Sequence, residues 1–162
     1  MQYTNEGVRR QDRLLNEDEA RQLLQQGEYG VLSMQTEEDG AYGIPVNYAW
    51  DDHSYIYLHC APEGRKLSCI AANDRVSFCV VGQTFVIPDK FTTAYESIVL
   101  SCCAQLVTDD GERMKALELL LDKYSPDDKT VGIQYARQSF SRTAIIRLDI
   151  NQWSGKTRRM PS

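Results

Sequence analysis

Two apolar spacings alternate along this chain. After Asn16, apolar residues fall at Ala20, Leu23 and Leu24, the spacing of one helix face. Asn16 with Glu19 three residues later resembles a capping box, and Gly27 offers a stop, so the pattern predicts a helix over 17–26. The runs YGVLSMQ (29–35), YGIPVNYAW (42–50) and YIYLH (55–59) read as strands, with turn signals at EEDG (37–40) and DDHS (51–54). Their short spacing predicts a three-stranded meander. Pro45 cannot donate to a strand ladder, so it marks an edge, a bulge or a ligand-facing stretch.

Further along, residues 65–72 predict a short helix ended by Asn73-Asp74, and 75–82 a fourth strand. Residues 83–94 carry a proline and little periodicity, so they read partly as loop, and 95–107 as a long β-rich run. Asp109 and Glu112 open a second capped helix with Met114, Leu117, Leu121 and Tyr124 on one face. Residues 123–132 read as a linker and 142–150 as a last strand. No repeat or second domain is visible. Six or seven strands with two or three short helices predict one α+β, mainly β domain over 1–162, a small antiparallel barrel.

Composition narrows the functional classes. The mix of 42% apolar and 25% charged residues is that of a globular domain with a core. A net charge of -5 argues against nucleic acid as a partner. The one basic cluster, Lys156, Arg158 and Arg159, is too short to change that. The polar first thirty residues suggest no secretory leader, and no apolar run is long enough for a membrane span, so the expected compartment is the cytoplasm. Five cysteines, at 60, 69, 79, 102 and 103, include no Cys-x-x-Cys pair and read as small buried apolar residues.

Chemistry-bearing patterns are few. His59 and Cys60 are neighbours, but successive residues of a strand face opposite ways, which argues against a Cys–His pair. His53 and His59 lack metal-ligand spacing, and no metal site is expected. The stretch GRKL (64–67) stands out. Gly64 permits close approach to a ligand, and Arg65 and Lys66 sit where a helix N-terminus already carries positive charge. Two cations there oppose the helix dipole and make sense if an anion such as a phosphate sits before them. The alternative is a solvated basic pair.

The series YGIPVNYAWD, YIYLHCAPEGRKL, RVSFCVVG, TTAYESIVL and WSGK, preceded by VRRQDRLL, resembles the FMN-binding split-barrel superfamily of pyridoxamine 5′-phosphate oxidase. Within it, the chain is similar to the 5-nitroimidazole resistance branch, the Nim or nitroimidazole-reductase-like group. The resemblance runs from Arg9 to Lys156. It departs from the family at SCCA (101–104), where a glycine is expected, and at Cys60, where Gly, Ser or Ala is commoner.

The resemblance implies an FMN-dependent oxidoreductase acting on a small molecule such as a nitroaromatic. NAD(P)H would bind transiently as electron donor, since no Gly-x-Gly-x-x-Gly fingerprint is present. Gly64, Arg65 and Lys66 would hold the FMN phosphate, with Ser97 adding a hydroxyl and Tyr95 and Glu96 close by. Pro45, Val46, Asn47 and Tyr48 would run along the flavin ring, and His59 would be the catalytic residue at its reactive side. Trp153 and Lys156 would come from the C-terminal tail (151–162) of a partner subunit, in a homodimer with two flavins in the groove between copies; residues 1–14 would form an N-terminal arm. On residue type alone, Tyr48 and Tyr95 also read as barrel-face aromatics, Trp153 as a core or interface anchor, and Glu96 as the buried partner of an arginine. His59 also reads as a strand-end histidine bonded to backbone. A non-catalytic haem- or flavin-binding protein with His59 as axial ligand is the alternative function, and a deazaflavin the alternative cofactor.

Overall fold

A computed structural model describes residues 1–36 and 40–160. The first half contains β1 (Gln2–Tyr3), α1 (Glu17–Gln26), β2 (Gly30–Gln35), β3 (Ala41–Val46), β4 (Ala49–Trp50), β5 (Tyr55–Cys60) and α2 (Arg65–Ala72). The second half contains β6 (Arg75–Ile87), β7 (Thr92–Leu106), α3 (Asp110–Tyr124), α4 (Lys129–Ser139) and β8 (Ala144–Arg158). The strands form one sheet in the order β3-β2-β6-β7-β8-β5-β4, with β1 parallel beside β8 and the other pairs antiparallel. This is the α+β barrel expected, with eight strands and four α-helices among the described residues.

Local chemistry explains the helix starts. The Asn16 side chain accepts from Glu19 N–H at 2.8 Å while Glu19 accepts from Asn16 N–H at 3.2 Å, and three acidic residues fill the first turn. Asp109 caps α3 by accepting from Glu112 N–H at 2.7 Å. In the 51–54 turn the Asp51 carboxylate accepts three backbone N–H groups, those of His53, Ser54 and Tyr55, each at 2.9 Å.

Four expectations need correction, and the turn expected at 37–40 lies, except for Gly40, outside the described residues. Residues 83–94 are mostly strand, because β6 and β7 form one long hairpin interrupted only by a single 3-10 turn at Pro88–Lys90. The last strand runs on to Arg158. Most of the predicted linker is helical: α3 reaches Tyr124 and α4 starts at Lys129. Gly132 lets α4 come close to α3, since a Cβ there would lie 2.4 Å from Leu121. The Arg113 guanidinium fastens the end of this helical pair by donating to the carbonyls of Phe140 (2.7 Å) and Thr143 (2.9 Å).

The fourth correction matters most. The three early runs do not form a meander. Residues 42–50 split at Asn47-Tyr48: β3 pairs with β2, β4 pairs with β5, and these pairs lie at opposite ends of the sheet. Two residues therefore span the seam of the barrel. Pro45 fits because β3 is an edge, opposite Val31 of β2. At the seam Tyr48 turns fully inward, donating to the Leu24 carbonyl at 2.6 Å and meeting Phe78 edge-on at 5.1 Å.

Tyr48 has no ladder partner for its backbone, and Tyr124 at the end of α3 supplies one. The Tyr124 hydroxyl accepts from Tyr48 N–H at 3.0 Å and donates to the Glu28 carbonyl at 2.6 Å, with the Tyr48 carbonyl at 3.1 Å. Beside it, Lys123 lies 3.5 Å over the Tyr48 ring, and burial pushes its pKa down to about 8. Tyr124→Phe leaves the buried Tyr48 N–H unpaired, so it is expected to cost about 1–3 kcal/mol, read as a lowered urea midpoint at unchanged slope. A midpoint equal to wild type would show that water replaces the hydroxyl.

Candidate functional site

Two elements that follow the seam in sequence bring the predicted residues together. The β5 strand ends at His59 and Cys60, a loop follows, and Gly64 starts α2 at φ 132°, a conformation that glycine adopts without strain. No side chain caps this helix, no acidic residue lies in its first turn, and a Cβ built on Gly64 meets nothing within 4 Å. Arg65 and Lys66 open the helix, and the Arg65 guanidinium stacks on the Tyr42 ring of β3 at 4.3 Å. Tyr42 was missed in the sequence; only the register of β3 against β2 carries it to α2.

His59 pairs with Ile145 across the ladder to β8, and its side chain is exposed beside a cleft that Asn47 also lines. Among the described residues neither side chain has a hydrogen-bond partner within the chain, so the backbone-bonded reading of His59 is not what the fold shows. Partial loss of water around the imidazole where it borders the cleft, and secondarily the Lys66 charge, lower its pKa below 6.5. Cys60 faces the other way, against the core, and burial raises its pKa, which removes any thiolate partnership with His59. The cleft, about 480 Å³, runs under the α3–α4 pair. The α3 face read from the sequence contributes Leu117, Leu121 and Tyr124 to it, while Ala116 and Leu120 are the buried residues of that helix.

The remaining predicted residues go elsewhere. Trp153 is 1% exposed in its own chain's core, edge-on to Tyr3 at 4.8 Å, so its ring is not on the surface as a tail contact would require. The Tyr48 side chain is likewise core, leaving only its backbone near the seam. Tyr95, Glu96 and Ser97 sit opposite Arg158, Thr157 and Lys156 on the β7–β8 ladder. Tyr42 pairs with Met34; the next β2 residue, Ser33, pairs with Ser77, which pairs with Ser101. Ser97 is four residues further along β7, roughly 13 Å away at strand rise. One copy of the chain thus separates Ser97 and Lys156 from the α2 cations. Glu96 lines a different, polar pocket with Gly82 and Arg159; it accepts from Gln83 N–H at 3.4 Å, and among the described residues no arginine hydrogen-bonds to it. Residues 151–158, expected as tail, are the end of β8.

The candidate site is the basic start of α2 and the cleft beside His59, on a largely antiparallel barrel. A family model described as pyridoxamine 5′-phosphate oxidase matches residues 16–157. The chain belongs to that family, whose fold is the split barrel. Three solved structures share the fold. A candidate 5-nitroimidazole antibiotic resistance protein from Bacteroides thetaiotaomicron VPI-5482 is 16% identical, with TM-score 0.72, over 90% of this chain and 86% of that one. An FAD-binding protein from Mesorhizobium loti is 21% identical, with TM-score 0.65, over 91% and 97%. An FAD- and haem-binding protein from Mycobacterium smegmatis is 15% identical, with TM-score 0.70, over 93% and 75%. No curated protein matches the sequence. No helix among the described residues is long and apolar enough to cross a membrane.

The lowered His59 pKa has a sign that can be checked. The unfolded imidazole binds its proton near 6.5 and the folded one only at lower pH, so between those values the unfolded state holds more protons. Stability is expected to rise with pH across that window and level off above 6.5. Proton NMR should place His59 below 6.5, and Lys66→Gln should move it upward without restoring it fully, because burial is the larger cause. A titration at or above 6.5 in the native protein contradicts this picture.

Proposed function

We propose that this protein is a flavin-dependent oxidoreductase that takes FMN and works as a homodimer. The observation that carries the reading is the uncapped, doubly basic start of α2 beside His59, in a chain of the pyridoxamine 5′-phosphate oxidase family. The residues fit the phosphate end of such a cofactor. Gly64 leaves open space before the helix, whose N-terminal end carries partial positive charge, and Arg65 and Lys66 add two cations at that end. Pro45, Val46 and Asn47 lie on the neighbouring edge strand and its exit, where an unpaired backbone can run beside a flat ring. A bound flavin supplies two-electron chemistry; the chain supplies binding, orientation and a proton-handling side chain. His59, neutral near pH 7 and without a protein partner, can accept or hand on a proton at the cleft mouth.

A second copy is supported by the outer face of the sheet. Leu32, Phe78 and Leu100 point into the barrel, so their neighbours point out. One outward row runs Pro45, Val31, Cys79, Val99 and Ser154; the next runs Gly43, Ser33, Ser77, Ser101 and Gln152. Neither row holds a charge or a large ring. Val81, Phe85, Val86 and Phe91 extend the exposed apolar surface along the β6–β7 hairpin. A symmetric partner would cover this face and could bring its Lys156 toward the α2 cations that its own chain cannot reach.

The nitroaromatic acceptor is our reading of the finer chemistry, in line with the likeness to the Bacteroides protein, and the transient NAD(P)H donor rests on the resemblance read in the sequence alone. A haem-binding role is a second reading, favoured by an imidazole with no hydrogen-bond partner among the described residues and by the Mycobacterium smegmatis likeness.

Absorbance of the purified protein and mass spectrometry of the extracted ligand test the cofactor. Flavin bands and the mass of FMN are expected; a Soret band lost in His59→Ala would select haem. FMN should bind far more tightly than riboflavin, and the Arg65→Ala, Lys66→Ala double variant should weaken FMN by several kcal/mol, at about 1.5–3 kcal/mol per charge-assisted bond. Equal binding of riboflavin and FMN would refute the phosphate assignment. Light scattering at micromolar concentration should give about 37 kDa, twice the 18.5 kDa of one chain. A flavin-loaded monomer would refute the dimer.

A further inference from the structure

The cleft under the α3–α4 pair is lined by neither Arg65 nor Lys66 of α2, and it meets the proposed cofactor site at His59 and Asn47. Its volume, about 480 Å³, lies within the range of sites that enclose a small organic molecule. Leucines 117, 120 and 121 of α3 form one wall, and Val131 and Tyr135 of α4 the other. Several polar groups in it are already engaged by the chain. The Thr143 hydroxyl donates to the Ser139 carbonyl at 3.0 Å, and the Ser139 hydroxyl to the Tyr135 carbonyl at 3.0 Å. Two polar side chains at the β5 end, His59 and Asn47, have no bond within the chain among the described residues, and both border the cleft. An unspent amide and imidazole at one end of an apolar slot select for a ligand with a polar end and an apolar body.

Charge narrows the ligand further. The only acidic residue lining the cleft is Asp128, exposed at the start of α4, and no Lys or Arg lines it. An organic anion going deeper than His59, where the Lys66 charge is felt, would therefore enter an apolar slot with no lining cation, and a cation would have to leave Asp128 at the rim to go deeper. We infer that this cleft binds an uncharged, ring-bearing, largely apolar molecule that presents a hydrogen-bond acceptor to His59 and Asn47. This deepens the proposed function by assigning the substrate class to a place, and it rests on that reading for the cofactor alongside. The α3–α4 pair is the specificity element: Gly132 sets the approach of the two helices, and the Arg113 clamp holds their far end.

Coumarin, an uncharged bicyclic lactone with one exposed carbonyl, serves as the probe, and calorimetry on the full-length protein as purified gives the affinity. Val131 is 66% exposed and Tyr135 70%, so changes at either should leave the fold intact. Val131→Trp, which reaches over the opening, should weaken coumarin at least tenfold, and Tyr135→Ser about threefold or more. Asn47→Ala and His59→Ala should each weaken it about tenfold, while coumarin-3-carboxylate should bind the native protein at least tenfold more weakly than coumarin. Bound flavin, melting temperature and mass in solution are read for every variant. No detectable binding of coumarin, or affinity unchanged by Val131→Trp, overturns the inference while leaving the flavin reading intact. Loss of flavin in Val131→Trp would show that the cleft holds the cofactor, and loss of the dimer would show that it is a subunit contact; either overturns it. Coumarin binding with the expected variant pattern in a protein that carries no flavin supports the cleft and defeats the flavin reading instead.

Discussion

The barrel closes through two residues. After Val46 the chain must pass from one end of the sheet to the other, and it does so at Asn47 and Tyr48. No strand ladder can satisfy a backbone that makes this crossing, so partners must come from outside the sheet. They come from Tyr124 at the end of α3, ninety-odd residues on from Glu28, which the same hydroxyl also reaches. The Tyr48 side chain fixes the other side by entering the core between Leu24 and Phe78. The crossing, the docking of α1 and the docking of α3 are therefore one construction.

The site depends on that construction. Asn47 is placed at the cleft mouth because Tyr48 is held inside, and consecutive extended residues face opposite ways. His59 is placed there because β5 pairs with both β4 and β8, which ends its ladder beside the seam. The α2 helix then starts against β3, with Arg65 over Tyr42. His59, Asn47 and the basic start of α2 thus gather near the open edges of the sheet.

Charge placement follows a division between helix ends. The starts of α1 and α3 are satisfied by their own side chains and carry acidic first turns, which favours the helices themselves. The start of α2 carries the opposite charge and no cap. Local stability alone would not select that arrangement, and a bound anion would reverse its sign. Inside the fold, the Arg147 guanidinium joins Glu112 of α3 at 3.0 Å and Asp149 of β8 at 2.6 Å, so the long helix rides on the sheet through a shared ion cluster. Removing Arg147 would strand two partly buried carboxylates.

The sequence by itself determined the elements whose signals are local. The α1 cap at Asn16, the α2 helix from Arg65, the Asp109 cap and the turn at Asp51 all depend on neighbours a few residues apart, and all were legible; Pro45 pointed to an edge, a bulge or a ligand-facing stretch, and only the pairing of β3 decided for the edge. The family series was legible for the same reason, since its motifs are short runs. Only the tertiary structure decided which strands pair. YGIPVNYAW looks like one strand because its apolar pattern continues through the seam, yet it serves two ends of a sheet. Trp153 looks like a tail contact in the sequence, but the extension of β8 carries it into the core against Tyr3. The α4 helix was hidden behind SPDD, a run of turn formers that separates two helices and does not extend into a long linker. The cleft was invisible for a geometric reason: Leu117 and Leu121 read as an ordinary apolar face, and only the packing of α4 across them, allowed by Gly132, leaves a space with His59 and Asn47 at its end.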